Sequence, residues 1–181
     1  IYAGSVGSLS KIEDFINNFP LKYKNNICVI IIGDGDRWND VANLINENKL
    51  PNFFILKSQP RAILENYYAI ADFAISIHPN IYDKLHKYGL SPLKTIDYMN
   101  ARLPILFIGK SSFLDDNSFN GLIESELNKN SLNRAFTTLN EFSKSNLISL
   151  GNDNYSFVKR NNNIKLIKNR VENIFERLFD L

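Results

Sequence analysis

Short apolar runs alternate along this chain with segments whose apolar residues recur every three or four positions. "IYAG" at the start, then "ICVIII", "NFFIL", "DFAISI" and "PILFI", all have the length of strands. Their nearly continuous apolar character fits strands covered on both faces, as a parallel sheet requires. Between them lie helical periods. "KIEDFINNF" places Ile12, Phe15, Ile16 and Phe19 on one side, and Pro20 limits how far that helix runs. "WNDVANLINENKL" does the same with Val41, Leu44 and Ile45, and "RAILENYYAIA" follows the third strand. Ser91 and Pro92 read as an N-cap and first-turn pair for a helix continuing to about Arg102. "GLIES" is a candidate sixth strand; "NRAFTTLNEF" and "IKLIKNRVENIFERLF" are helical, the latter through Ile164, Ile167, Val171, Ile174, Phe175 and Leu178. Strand and helix in alternation predict an α/β fold: a Rossmann-like parallel sheet with helices on both faces. The last helix, at about 163–180, is expected to pack at the edge of the domain.

Composition narrows this picture. With 181 residues, 44% of them hydrophobic, the chain fits one domain over 1–181 with a single ordinary core. Lysine and arginine number 21 against 19 aspartates and glutamates, a balance that argues against a nucleic-acid partner. The only cysteine, Cys28, sits in an apolar run and is expected to be a small buried hydrophobe, so neither a disulfide nor a zinc framework is expected. No window approaches ~18 apolar residues, and no basic-then-apolar leader opens the chain, which points to a cytoplasmic setting. Ile1 already lies in a strand and the only methionine is Met99, so a piece of a longer protein is expected.

Candidate chemistry gathers at the strand ends. A helix whose N-terminus faces the ligand edge of a parallel sheet offers unpaired amides to an anion, phosphate above all. The helix after Ser91 fits, with Lys94 as a mobile cation in its first turn and Asp97 further along to accept from hydroxyls. The alternative is that Ser91 and Pro92 only cap the helix while Lys94 and Asp97 are solvated. "GSVGS" is a glycine-containing turn in which Gly4 and Gly7 allow close backbone approach to a diphosphate, with Ser5, Ser8 and Lys11 as donors; glycine also occurs in such turns for geometry alone. "GDGDRW" lacks the third glycine of a dinucleotide fingerprint and reads as a turn and cap. His78 and His86 have no acidic orienting partner beyond Asp83, and no metal-ligand spacing is present. Tyr67 and Tyr68 read as core or rim. The basic residues of the last segment, interleaved with Glu172 and Glu176, read as a solvated face, with attraction to anionic lipid heads, and hence peripheral membrane contact, as an alternative.

Taken in order, these segments resemble the C-terminal, sugar-nucleotide-binding domain of family 4 glycosyltransferases of GT-B fold. "YAGSVGSLSKIEDFI" is similar to the opening strand, phosphate loop and first helix; "VIIIGDGD" to the second strand and turn; "NFFILKSQPRAILENYYAIADFAISIHP" to the segment leading to the binding loop. "SPLKTIDYMNARLPIL" resembles the family's S-P-x-K-x-x-E-Y-M-A-x-G-x-P-V element, the most specific of the set.

The resemblance implies transfer of a sugar from a nucleotide diphosphate sugar to an acceptor hydroxyl, retaining and without metal or other cofactor. The acceptor, a glycan or a lipid-linked sugar of cell-surface polysaccharide synthesis, would bind an N-terminal domain absent from this chain, which alone would be inactive. It also implies residue roles. Lys94 would act on the leaving diphosphate, Asp97 would bind the ribose hydroxyls, and Gly89, Leu90, Ser91 and Leu93 belong to the turn near the diphosphate and sugar. Lys57 and Ser58 match the loop whose backbone reads the base, and Gly4, Ser5, Gly7, Ser8 and Lys11 would line the phosphates. The sequence departs from the pattern where Gly89 replaces the first glutamate of the family's pair, where Pro92 lacks an N–H, and where Ser5 or Ser8 stands for the first-loop arginine. A noncatalytic sugar-nucleotide or protein-interaction module of the same fold is the competing expectation. A nicotinamide-binding domain and an epimerase are more distant ones.

Overall fold

The computed structural model describes residues 1–78, 93–109 and 120–161, together with Lys168 and Glu172. In chain order the elements are β1 (Tyr2–Ala3), α1 (Ile12–Asn18), β2 (Val29–Ile32), α2 (Trp38–Glu47), β3 (Phe53–Leu56) and α3 (Arg61–Ile70). They continue with β4 (Ala74–Ile77), α4 (Leu93–Asn100), β5 (Ile105–Ile108), β6 (Leu122–Ser125), α5 (Lys129–Glu141) and α6 (Lys144–Asn161). Every strand pairing is parallel, in the orders β1-β2-β3 and β4-β5-β6. Ile1 joins the two halves, since its nitrogen donates to the Phe73 carbonyl at 2.9 Å and its own carbonyl accepts from the Ile75 N–H at 2.7 Å. The resulting succession 3-2-1-4-5-6 is that of a doubly wound sheet.

Alternation along the strands divides the core in two. Tyr2, Val29, Ile31, Ile75, Ile77, Leu106 and Ile108 face one layer, which α1, α2 and α5 cover through residues such as Phe15, Val41 and Phe136. Ala3, Ile32, Ala74, Ile105 and Phe107 face the other, covered by Tyr68 of α3, Tyr98 and Met99 of α4 and Val158 of α6. Both faces are therefore apolar, which is why the strands read as unbroken runs rather than as polar–apolar alternation.

Several expectations are met and some are corrected. The sixth strand is present, and the helix expected from Asn133 begins earlier, at Lys129, because the Asn128 side chain caps it by accepting the Ser131 N–H at 2.9 Å. Cys28 is exposed rather than buried: it precedes β2 at the leading edge of the sheet, outside the strand its apolar neighbours form. Helix α6 has no counterpart in the sequence-based expectation, since its serines, asparagines and Gly151 blur the helical period. Yet Gly151 lets α6 approach the turn after α4, where a Cβ would lie 1.8 Å from the Arg102 carbonyl oxygen. The buried Asn154 amide of α6 then donates to the Leu103 and Gly121 carbonyls at 2.7 and 3.0 Å, tying it to the leading ends of β5 and β6. Helix α4 stops at Asn100, and Arg102, with φ 59°, turns the chain into β5. The final helix expected at about 163–180 lies outside the described residues, apart from Lys168 and Glu172.

Candidate functional site

The strand order reverses between β1 and β4, and the chain leaves these two strands toward opposite faces. A crevice at the carboxyl ends of the strands is therefore expected there. β1 is only two residues long, and past Ile1 a side chain stands between it and β4. The Tyr98 hydroxyl accepts the Ala3 N–H at 2.7 Å and donates to the Ala3 carbonyl at 3.0 Å. Both partners are buried, and desolvation holds the Tyr98 phenol well above its ordinary pKa.

Lys94 lies one helical turn before Tyr98 on the same face of α4. Its Nζ donates to the Tyr2 hydroxyl at 3.2 Å and sits 4.7 Å from the centre of the Tyr2 ring, while the Tyr2 hydroxyl donates to the Ser5 carbonyl at 2.8 Å. The lysine stem passes Gly4, where a Cβ would sit 3.6 Å from Lys94 Cδ. Burial pushes the Lys94 ammonium down to about 8. Among the described residues no carboxylate lies within ion-pairing distance of it. A half-buried cation without a counter-ion is costly unless an anion completes it.

The Gly4–Ser8 loop is braced from behind by the glycine-rich turn after β2. Gly4 N–H donates to the Ile32 carbonyl at 3.0 Å, Val6 N–H to the Asp34 carbonyl at 2.9 Å, and Arg37 N–H to the Val6 carbonyl at 3.1 Å. A Cβ at Gly33 would lie 1.8 Å from the Gly4 oxygen, so these glycines serve loop packing, in keeping with the turn role read for "GDGDRW". Ser5 and Ser8 are exposed at the front of the loop. Gly7 abuts Asp36, whose carboxylate oxygen would be 2.9 Å from an added Cβ, and its carbonyl accepts from the Ser10 hydroxyl at 2.6 Å. Lys11 adopts φ 55° and its ammonium lies 3.6 Å from Asp14, so its charge is already partnered.

Asp97 meets Arg61, the first residue of α3, with Nη2 3.2 Å from Oδ1. Arg61 also reaches Glu65 at 3.3 Å. A cavity of about 320 Å³ opens beside this pair, between α3 and α4, lined also by Tyr68 and Asn100. Burial, with the Asp97 charge as the lesser cause, pushes the Tyr68 phenol up to about 12. Lys57 and Ser58, at the end of β3, are both engaged by Asp34: the Lys57 ammonium at 3.3 Å, the Ser58 N–H at 3.1 Å. Lys57 also covers the Trp38 ring at 3.9 Å.

His78 lies beneath α4. It is buried, stacks on Phe107 at 4.6 Å, and brings Nε2 within 2.7 Å of the Ser76 hydroxyl, which in turn is 2.8 Å from the Thr95 hydroxyl. This polar cluster seats α4 on β4. Leu93 is 78% exposed at the start of α4. Gly89, Leu90, Ser91 and Pro92 lie outside the described residues, as do Asp83 and His86. Among the described residues no group of three or more His, Cys, Asp or Glu could hold a metal ion, and no helix is long and apolar enough to cross a membrane.

The fold thus brings Gly4–Ser8 and Lys94 into one cradle and places Asp97 one turn along the same helix. Three participants escaped the sequence reading. Tyr98 carried a signal, its spacing of four from Lys94; Tyr2 and Arg61 carried none, since their partners lie 92 and 36 residues away.

No family model and no curated relative matches the sequence. Solved structures do resemble it. A mutant of S. aureus TarM, in complex with fondaparinux, alpha-GlcNAc-glycerol and UDP, superposes with a TM-score of 0.71 at 17% identity, over 96% of this chain and 35% of that one. The C-terminal domain of LpcC, a glycosyl transferase group 1 family protein from Francisella tularensis, gives 0.63 at 13% identity, over 90% of this chain and 86% of that one. This chain has the fold of a GT-B glycosyltransferase domain. Anabaena HepE, a structure in complex with UDP-glucose, shares the GT-B fold with a TM-score of 0.68 at 12% identity, over 97% of this chain and 48% of that one. The chain therefore spans about a third of TarM and about half of HepE, and nearly the whole of the LpcC domain.

Proposed function

We propose that this chain is the donor half of a glycosyltransferase, binding a nucleotide diphosphate sugar and, joined to an acceptor-binding domain, passing the sugar to a hydroxyl. The observation that carries the reading is Lys94: a half-buried ammonium with no carboxylate partner among the described residues, set against the Gly4 loop at the reversal of the sheet. Asp97 would accept from the ribose hydroxyls after release from Arg61. Solved neighbours crystallised with UDP or UDP-glucose support the choice of ligand class.

In the transfer, the bond from the anomeric carbon to the diphosphate oxygen breaks and a bond to the acceptor oxygen forms. The acceptor proton is released to solvent, and the diphosphate leaves with an added negative charge. Lys94 stabilises that charge without a metal. Retention of anomeric configuration, the acceptor glycan or lipid-linked sugar, and a cytoplasmic setting at the inner membrane face belong to the same proposal.

The test is thermal denaturation with UDP, GDP, ADP and CMP, on the unaltered chain and on Lys94→Ala. At a hundred times its Kd a ligand adds ~2.7 kcal/mol, which for this chain length raises Tm by about 5 to 11 °C. One nucleoside diphosphate should give that shift and lose most of it in Lys94→Ala. No shift with any of them at millimolar concentration refutes the reading. A noncatalytic binding module is the second reading, favoured by the engagement of Lys57 and Ser58 with Asp34. Donor binding without turnover in the longer protein would select it.

A further inference from the structure

Tyr2 touches both Lys94 and the Gly4–Ser5 end of the loop. Its side chain is buried, only 2% exposed, inside a strand of two residues. One face of its ring carries the Lys94 ammonium, its oxygen accepts from that ammonium, and its proton goes to the Ser5 carbonyl. Phenylalanine would fill the same volume among Val6, Phe15 and Ile31, so packing alone does not call for the hydroxyl. That hydroxyl couples the loop backbone to the cation. Ser5 and Ser8 bring no charge to the loop, and Lys11 is turned to Asp14. Among the described residues around the loop, the location of the Lys94 charge therefore decides where an anion can sit.

We infer that Tyr2 is a positioning residue, whose ring and hydroxyl together fix the Lys94 ammonium at the Gly4–Ser8 loop for a diphosphate. The inference rests on the donor-site reading and adds to it the device that holds the cation. A lysine has four rotatable bonds and gives up that freedom when its charge is used at one place. Here the ring supplies a cation–π contact and the phenol oxygen a directional acceptor, so the freedom is lost before the ligand arrives.

Two variants separate the ring from the hydroxyl: Tyr2→Phe keeps the buried ring and removes the oxygen, while Tyr2→Leu removes both. Affinity for UDP and for inorganic pyrophosphate is measured by calorimetry for the unaltered chain, for Tyr2→Phe, for Lys94→Met and for the double variant. Proton spectra of the Lys94 ε-methylene report the ring-current shift imposed by the aromatic face. Tyr2→Phe should weaken both anions about tenfold, as expected for losing one hydrogen bond to a charged group, while keeping the ring-current shift. Added to Lys94→Met, it should change affinity less than twofold, because the hydroxyl then has no cation to place. Tyr2→Leu should abolish the ring-current shift. Wild-type affinity in Tyr2→Phe overturns the inference alone, and so does the same tenfold loss on the Lys94→Met background. If the unaltered chain binds neither anion, the donor-site reading falls and this inference falls with it.

Discussion

Replacing Tyr98 by phenylalanine tests the join on which the cradle depends. The ring stays, so its edge-to-face contact with Tyr68, at 5.6 Å and 89°, is kept and no cavity opens. What disappears is one oxygen that serves both backbone groups of Ala3, at 2.7 and 3.0 Å. Ala3 is 4% exposed and Tyr98 fully buried, so water does not replace that oxygen without opening the sheet. An orphaned buried donor or acceptor costs ~1 to 3 kcal/mol each, so the pair together should cost about 3 kcal/mol. Against a domain stability of ~5 to 15 kcal/mol this is a large fraction. At 2 to 4 °C per kcal/mol for this size, Tm should fall by about 6 to 12 °C. Urea unfolding followed by circular dichroism measures it directly, with the midpoint falling and the slope unchanged. A loss below ~0.5 kcal/mol, the size of an ordinary surface substitution, would show that Ala3 finds other partners and that Tyr98 does not hold β1 to α4.

Three other consequences can be measured. Lys94 titrates near 8 in the folded chain against 10.5 in the unfolded one, so between those values the unfolded chain holds a proton the folded chain lacks, and stability rises with pH across that window; Lys94→Met should remove the rise, and an unchanged pH profile in that variant would assign it elsewhere. For the same reason, binding of a diphosphate at pH 9 should take up a proton, seen as a calorimetric enthalpy that depends on the buffer. Arg61→Ala frees Asp97, and since an exposed ion pair contributes little, nucleoside diphosphate affinity should tighten by no more than a few-fold with pyrophosphate affinity unchanged; weakened binding would mean that Arg61 itself contacts the nucleotide.

Much of the fold is legible along the chain because burial on both faces leaves a local trace. Val29 to Ile32 and Ile105 to Ile108 are apolar at every position, and both are strands. Helix α6 hides because its contacts depend on Gly151 and Asn154, residues that weaken the helical period they take part in. Cys28 misleads because the apolar run begins at Ile27, two positions ahead of the strand it announces. At the site, Gly4, Lys94 and Asp97 stand out by residue type and spacing, whereas the partners that decide their charge do not. Nothing local joins Arg61 to Asp97, Asp34 to Lys57, or Tyr2 to Lys94; each pairing exists only once the sheet has assembled.

The seating of Gly33 against the Gly4 carbonyl also has a practical meaning for anyone re-engineering this protein. The first and second crossover connections are a matched pair, with no side-chain cushion between them. A first loop transplanted from another protein of this fold would have to bring its own counterpart to residues 33–36, or the graft would push the two main chains apart. Libraries built on either segment should therefore vary the two jointly.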